Sequence, residues 1–530
     1  MVNAAASYAT PDSFYVVFMV FLSLCGFLWI VTGTTEDDAA MLPTSDRPGK
    51  AWRSGLAISG DSLSAVTLMA LVGLITLTGF DGVMISLACA MSLVLLMLLA
   101  EPLRRAGGHT VADALARRFP ERSVRVALGL LTLMICLPYL VLQLTAIGAL
   151  TTFVLGLTSS AAQAGCIIAT GLLMIFLAVS GGLRGTARVQ VVKVVALLLV
   201  LSVVALLVLH RFGWNPDRLL GAAAARSSHG DAFLGPGVQY GSGAYAMANR
   251  FGQFITLALA VGCLPQVTMR ILSAPGGRAT RSAMHWAIAQ FLLVSALLAV
   301  IGVGAAAVLG GPELLTADST GNSALLLVAD ALRPGGVLMP AVFCAVFLTA
   351  LATVADVSIA AAISVARDLL PRSAPRSSAP DPRQERLARW TATLIGALTI
   401  ALAVLSANWN LLVLSTLAMT LTASALAPVL AYGLLWPRFT GRGVLWCVYG
   451  SSLLTIVLVI VSPLISGSPT AALPDHDFRW TALVNPGVLT VPFGFLLGWL
   501  GSLPGARGET ADGTGRPRMR SGNGRRFMGS

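Results

Sequence analysis

The chain has 530 residues, of which 56% are apolar and only 11% charged, and its mean hydropathy is +0.82. Soluble domains carry about 25% charged residues, so the solvent for most of this chain is lipid. The net charge of +12 does not point to nucleic acid, because the basic residues sit in short segments between apolar runs, where such charge sets topology.

In chain order, thirteen apolar spans are expected at 13–32, 55–78, 83–100, 126–157, 162–182, 190–210, 251–271, 284–310, 337–366, 390–406, 409–436, 443–462 and 484–502. Lipid offers the backbone no hydrogen-bond partner, so spans of this length are helices. The first run, Phe14 to Val31, has no basic residue ahead of it, the first being Arg47, and it reads as a retained helix rather than a signal peptide. With the N-terminus outside, the inner loops carry 29 basic residues and the outer loops 6. That asymmetry sets the orientation and supports an odd number of spans. The inner count includes the segments 101–125, 183–193 and 270–283. Thr110–Phe119 reads as a short amphipathic helix on the inner surface, 211–250 as a long Gly/Ala/Ser-rich outer loop, and 503–530 as a disordered basic cytoplasmic tail. The seven cysteines all lie in apolar spans without a CxxC and are expected as small buried hydrophobes. The histidines are scattered and form no HExxH, and no phosphate loop is present, so neither an enzyme nor an ATP-driven pump is indicated.

Three spans carry polar interruptions. The second contains Gly60-Asp61-Ser62-Leu63-Ser64, a glycine-bearing break with an ionisable group inside the membrane. The seventh contains Gly262 and Pro265 around Cys263-Leu264, and proline removes a helix donor and forces a kink. Spans 2–6 and 7–11 then become two five-helix halves, each opening on a broken helix, which is the layout of inverted-repeat carriers. In the ninth span Thr349 and Thr353 share a face, with Asp356 close to it. Hydroxyls and carbonyls there are hard-oxygen ligands suited to a small cation. Asp61 and Asp356 are candidate coupling carboxylates. Polar groups able to line a central pocket are Ser64, Thr67, Tyr139, Gln143 and Gln266, together with helix amide ends near Gly262 and Leu264. Helix N-termini favour anions, and no arginine stands out deep in a core span to clamp a dianion. These features suit a short monocarboxylate better than a sugar, proline or dicarboxylate, and the choice of substrate rests mainly on the family resemblance carried by the segments that follow.

The segments GLAISGDSLSA (55–65), GFDG (79–82), EPLRRAGGHTVADALARR (101–118), PYLVLQLTAIG (138–148), GGLRGTARVQVVKVV (181–195), GCLPQVTMRILS (262–273) and ATVADVSIAAAISVARDLL (352–370) resemble the sodium:solute symporter family, within it the acetate permease branch. The resemblance implies an all-α membrane protein of about thirteen transmembrane helices with a five-plus-five inverted-repeat (LeuT-like) core. The implied divisions are an extra helix and inner loop in 1–54, a first repeat in 55–210, an external loop in 211–250, a second repeat in 251–436, two further helices in 437–502, and the tail.

It also implies a sodium site formed by Gly60, Leu63, Thr349, Ala352 and Thr353. Ala352 stands where many members carry a second hydroxyl. Gln190 replaces an aspartate that holds a second sodium in some members, so one coupling cation per cycle is expected. The implied activity is sodium-coupled symport of an acetate-like monocarboxylate across the inner membrane. No organic cofactor is implied, membrane lipid is the surroundings, and a small partner subunit is left open. The alternatives are proton coupling through Asp61 and Asp356, and a membrane sensor.

Overall fold

A computed structural model describes residues 51–503, apart from 158, 273, 275, 319, 371–381, 408 and 469–470. The expected first span and nearly all of the basic tail lie outside the described residues. The regular structure of the described residues is helical. In chain order it comprises α1 (Ala51–Ser62), α2 (Ala65–Thr78), α3 (Phe80–Ala106), α4 (Val111–Leu115), α5 (Arg122–Val154), α6 (Ser160–Arg211) and α7 (Pro216–Arg226). Then come α8 (Ala244–Cys263), α9 (Pro265–Leu272), α10 (Gly277–Leu309), α11 (Gly311–Ala317), α12 (Ala324–Leu332), α13 (Leu338–Ser364) and α14 (Pro382–Leu405). The series ends with α15 (Leu411–Leu421), α16 (Ala427–Leu435), α17 (Gly441–Ile460) and α18 (Gly487–Gly501).

Among the described residues, eight helices are long and apolar enough to cross a membrane, nine when the bent pair α1–α2 is taken as one span. Shorter apolar stretches at Ser160–Phe176, Arg389–Leu405 and Gly487–Gly501 add to these. Helix starts follow local chemistry. Ser159 caps α6 by accepting from Ala162 N at 3.1 Å, and Thr440 caps α17 by accepting from Gly443 N at 3.2 Å. Two expectations are corrected. Of the inner loop placed at 183–193, Val189 to Lys193 belong to the apolar helical stretch that runs on to Arg211. The outer loop 211–250 holds α7, a 3-10 turn at Gly230–Leu234 and the start of α8. Asn215 caps α7 with Pro216 at its first position. The short inner helix expected from Thr110 is α4, capped by the Thr110 hydroxyl.

The packing interlocks the two halves. α1 and α2 pack against α10, the helix that follows the second break, while α8 packs against α3, the helix that follows the first. Each broken helix therefore leans on the opposite half, as a pair of repeats related by a pseudo-twofold axis requires. The buried helix α13 lies against α6 and α5, and α9 reaches α1, α3 and α13. Gly262 makes the α8–α3 approach possible: a Cβ there would stand 2.6 Å from Ser92 O.

Candidate functional site

The first break is complete. α1 stops at Ser62, α2 starts at Ala65, and their axes differ by 69°. Ser64 caps α2, its Oγ accepting from Thr67 N at 3.0 Å. In a continuous helix that N–H would have served Leu63 O, which is thus left without its intrahelical donor. Gly60 O likewise loses the donor four residues on and keeps only a turn contact from Leu63 N at 3.2 Å. The second break falls at Leu264, in extended backbone (φ −53°, ψ 141°), with Pro265 opening α9. Both interruptions expected from the sequence are present.

The freed carbonyls meet a cation. Lys193 on α6 is fully buried, and its Nζ donates to Gly60 O at 2.7 Å and to Leu63 O at 2.9 Å. It also reaches Thr353 Oγ1 on α13 at 3.4 Å. Thr353 gives its own proton to Thr349 O at 2.8 Å, which leaves its oxygen lone pairs turned to the ammonium. The Thr349 hydroxyl is occupied with Ala345 O at 2.7 Å, and Ala352 is buried. Of the residues expected around a cation, Gly60, Leu63 and Thr353 thus converge at the first break, on an ammonium of the chain itself.

A charged cluster adjoins this cage. Asp61 is paired with Arg270 of α9 through two bonds, one of them Nη2 to Oδ1 at 2.9 Å. Arg270 Nη2 also lies 3.7 Å from Asp356 Oδ2, and Asp356 accepts from Gln190 Nε2. Gln190 in turn packs on Gly60, where a Cβ would stand 2.8 Å from its Oε1. The cluster contains two carboxylates, one guanidinium and one ammonium, so its charges balance. Two counts are corrected here. Lys193 and Arg270, taken as inner-loop charges, belong to this buried network; the basic bias between the two sides keeps its sign without them. The arginine that no core span was expected to offer is Arg270, held against Asp61.

The expected pocket residues divide into two groups. Tyr139 is buried beside Ser64, Thr67 and Gln143. Gln143 and Gln266 are buried with both side-chain amide atoms unpartnered by protein. Such amides are costly unless a ligand or water satisfies them. Gly262 is different, since its N–H donates to Ser92 Oγ at 2.7 Å and serves helix packing. A cavity of about 430 Å³ is bounded by Val66, Met69, Thr145, Phe153, Asn322 and Trp409, among others. It lies on the side that the charge bias assigns to the exterior and reaches the first turn of α2. Among the described residues no group of His, Cys, Asp and Glu is arranged to hold a metal ion.

Sequence reasoning missed Lys193 and Arg270. A signal existed for the first: the chain has only two lysines, Lys50 and Lys193, against an abundance of arginine. A compact ammonium on a flexible stem suits a small oxygen cage that a planar guanidinium does not.

Comparison with known proteins gives the family and the fold. The sequence profile that defines the sodium:solute symporter family matches residues 45–450. A protein of Corynebacterium glutamicum described as a monocarboxylic acid transporter is 31% identical over 500 residues, covering 92% of this chain and 91% of the relative. The uncharacterized symporter YwcA of Bacillus subtilis is 32% identical over 493 residues, covering 92% of this chain and 94% of the relative. Among solved structures, a Na+-coupled sialic acid symporter in a substrate-bound outward-open state superposes with a TM-score of 0.66 at 16% identity, over 92% of this chain and 97% of its own. At that identity the superposition speaks for the fold alone, a five-plus-five symporter core.

Proposed function

The chain belongs to the sodium:solute symporter family and is a multi-pass secondary symporter rather than an enzyme, and we propose that it carries a short monocarboxylate into the cell together with a monovalent cation. The observation that carries this reading is the pairing of a cation-filled oxygen cage with the orphaned amides of Gln143 and Gln266. The N-terminus of α2 and the Gln143 amide beside Tyr139 supply N–H donors for a carboxylate, and the cavity that reaches the first turn of α2 offers the apolar wall of Val66 and Met69 for a small alkyl group. The description of the corynebacterial relative supports the same substrate class.

The family's name makes sodium the first choice of ion, held by Gly60, Leu63, Thr349, Ala352 and Thr353. One observation favours the proton instead: the ammonium of Lys193 already lies on Gly60 O, Leu63 O and Thr353 Oγ1. In this reading Asp61 and Asp356 are the buried carboxylates available to take the proton, and we read the driving ion as the proton. The carrier works in the plasma membrane with its N-terminus outside and C-terminus inside. The repeats 55–210 and 251–436 rock about the site to alternate access.

The test of the substrate class is uptake of radiolabelled acetate into proteoliposomes holding the purified chain. Propionate and pyruvate compete, whereas glucose, proline and succinate do not. Gln143→Leu keeps the volume and removes the amide, and it raises the half-saturation for acetate by roughly tenfold or more, the scale of one lost buried polar contact. Competition by proline or glucose, with acetate excluded, refutes the monocarboxylate reading.

A further inference from the structure

The oxygens of the cage at the first break are two main-chain carbonyls freed by the break and one hydroxyl on a facing helix, with Nζ of Lys193 at 2.7, 2.9 and 3.4 Å from them. An ammonium has three N–H donors and no acceptor, so three oxygens use it completely. Hard oxygens converging on one point are also what a small hydrated cation seeks when it sheds its water.

The charges around the cage repeat the same theme. From α1 Asp61 faces it, from α13 Asp356, and from α9 Arg270. On α6 itself Gln190 is neutral and bonded to Asp356. Two negative and two positive side chains thus share a buried site, and Lys193 is one of the two positive ones. Removing Lys193 leaves one negative charge uncompensated and takes the ammonium away from three converging oxygens. A single free monovalent cation restores both.

We propose that Lys193 is a tethered substitute for a free ion: its ammonium occupies the oxygen cage between α1 and α13, the chain binds no sodium there, and shortening the side chain turns the cage into a sodium site. The inference deepens the reading of the chain as a cation-coupled monocarboxylate symporter and rests on it. A mere helix tie at this position would hold α6 to α1 just as well, but its loss would open no ion site.

The test is equilibrium binding of radioactive sodium to the purified full-length chain in detergent, with no organic solute present. Wild type shows no saturable sodium binding. Lys193→Ala and Lys193→Ser show saturable binding that is displaced by unlabelled sodium and not by choline, at a signal at least about tenfold above wild type. In the same variants sodium chloride raises the thermal midpoint where choline chloride does not. Lys193→Ser, which returns a hydroxyl to the cage, covers the case in which the alanine variant does not fold. Saturable sodium binding by wild type overturns the proposal, as does a folded Lys193 variant that gains none. Because no carboxylate enters the assay, its outcome for Lys193 holds whichever solute the chain carries. Failure of acetate uptake counts against the substrate class alone.

Discussion

Arg270→Ala abolishes uptake and lowers stability by about 3 kcal/mol, the cost of leaving a buried carboxylate without its partner. Arg270 is the link between Asp61 of α1 and Asp356 of α13, two carboxylates otherwise close enough to repel. Its removal charges the site negatively next to the cage and unpins α9 from α1. The double variant Asp61→Asn with Arg270→Gln removes charge of both signs and restores most of the folding stability, while uptake remains impaired. Thermal unfolding in detergent beside uptake in proteoliposomes separates the two effects. A single Arg270→Ala variant with wild-type uptake contradicts any role for this pair in the transport cycle.

Gly60→Val removes at least about 90% of uptake. A Cβ at Gly60 would stand 2.8 Å from Gln190 Oε1 and 3.1 Å from Val194 Cγ2, so a valine side chain there displaces the Gln190 amide and presses on Val194 of α6. Overpacking of this kind costs roughly 1–3 kcal/mol in a well-packed interior. The larger consequence is local, since Gly60 O is itself a wall of the cage and moves with its residue away from Lys193. Gly433→Val on α16, whose added Cβ meets the tip of Leu115 at 2.9 Å, serves as a comparison for similar packing strain away from the cage. Equal losses of transport in the two variants would remove the special standing of Gly60.

Much of this arrangement was legible in the sequence. Gly60-Asp61-Ser62-Leu63-Ser64 and Gly262 to Pro265 announce their breaks through residues that release or deny backbone hydrogen bonds, a property of the chain's own chemistry. The facing hydroxyls of Thr349 and Thr353 follow from helical spacing alone. What stayed hidden depends on the depth of helix ends. Lys193 and Arg270 each lie within a few residues of where an apolar run begins or ends, and there a long basic side chain ordinarily reaches out to water. Only the packing of α6 on α1, and of α9 on α1 and α13, turns both inward. The role of Gly262 was hidden because a glycine on a helix does not show which group across the bundle it will meet; here its N–H donates to Ser92 Oγ.

With its cage cation carried within the chain, the symporter is proposed to be driven by a proton from outside. The most direct measurement is accumulation of radiolabelled pyruvate, a stronger acid than acetate and so less prone to leak as the neutral acid, in proteoliposomes under one imposed gradient at a time. An inward proton gradient in sodium-free choline buffer is expected to drive accumulation above equilibrium, and an inward sodium gradient at equal pH is expected to drive none. Accumulation under the sodium gradient alone, with indifference to pH, would contradict it.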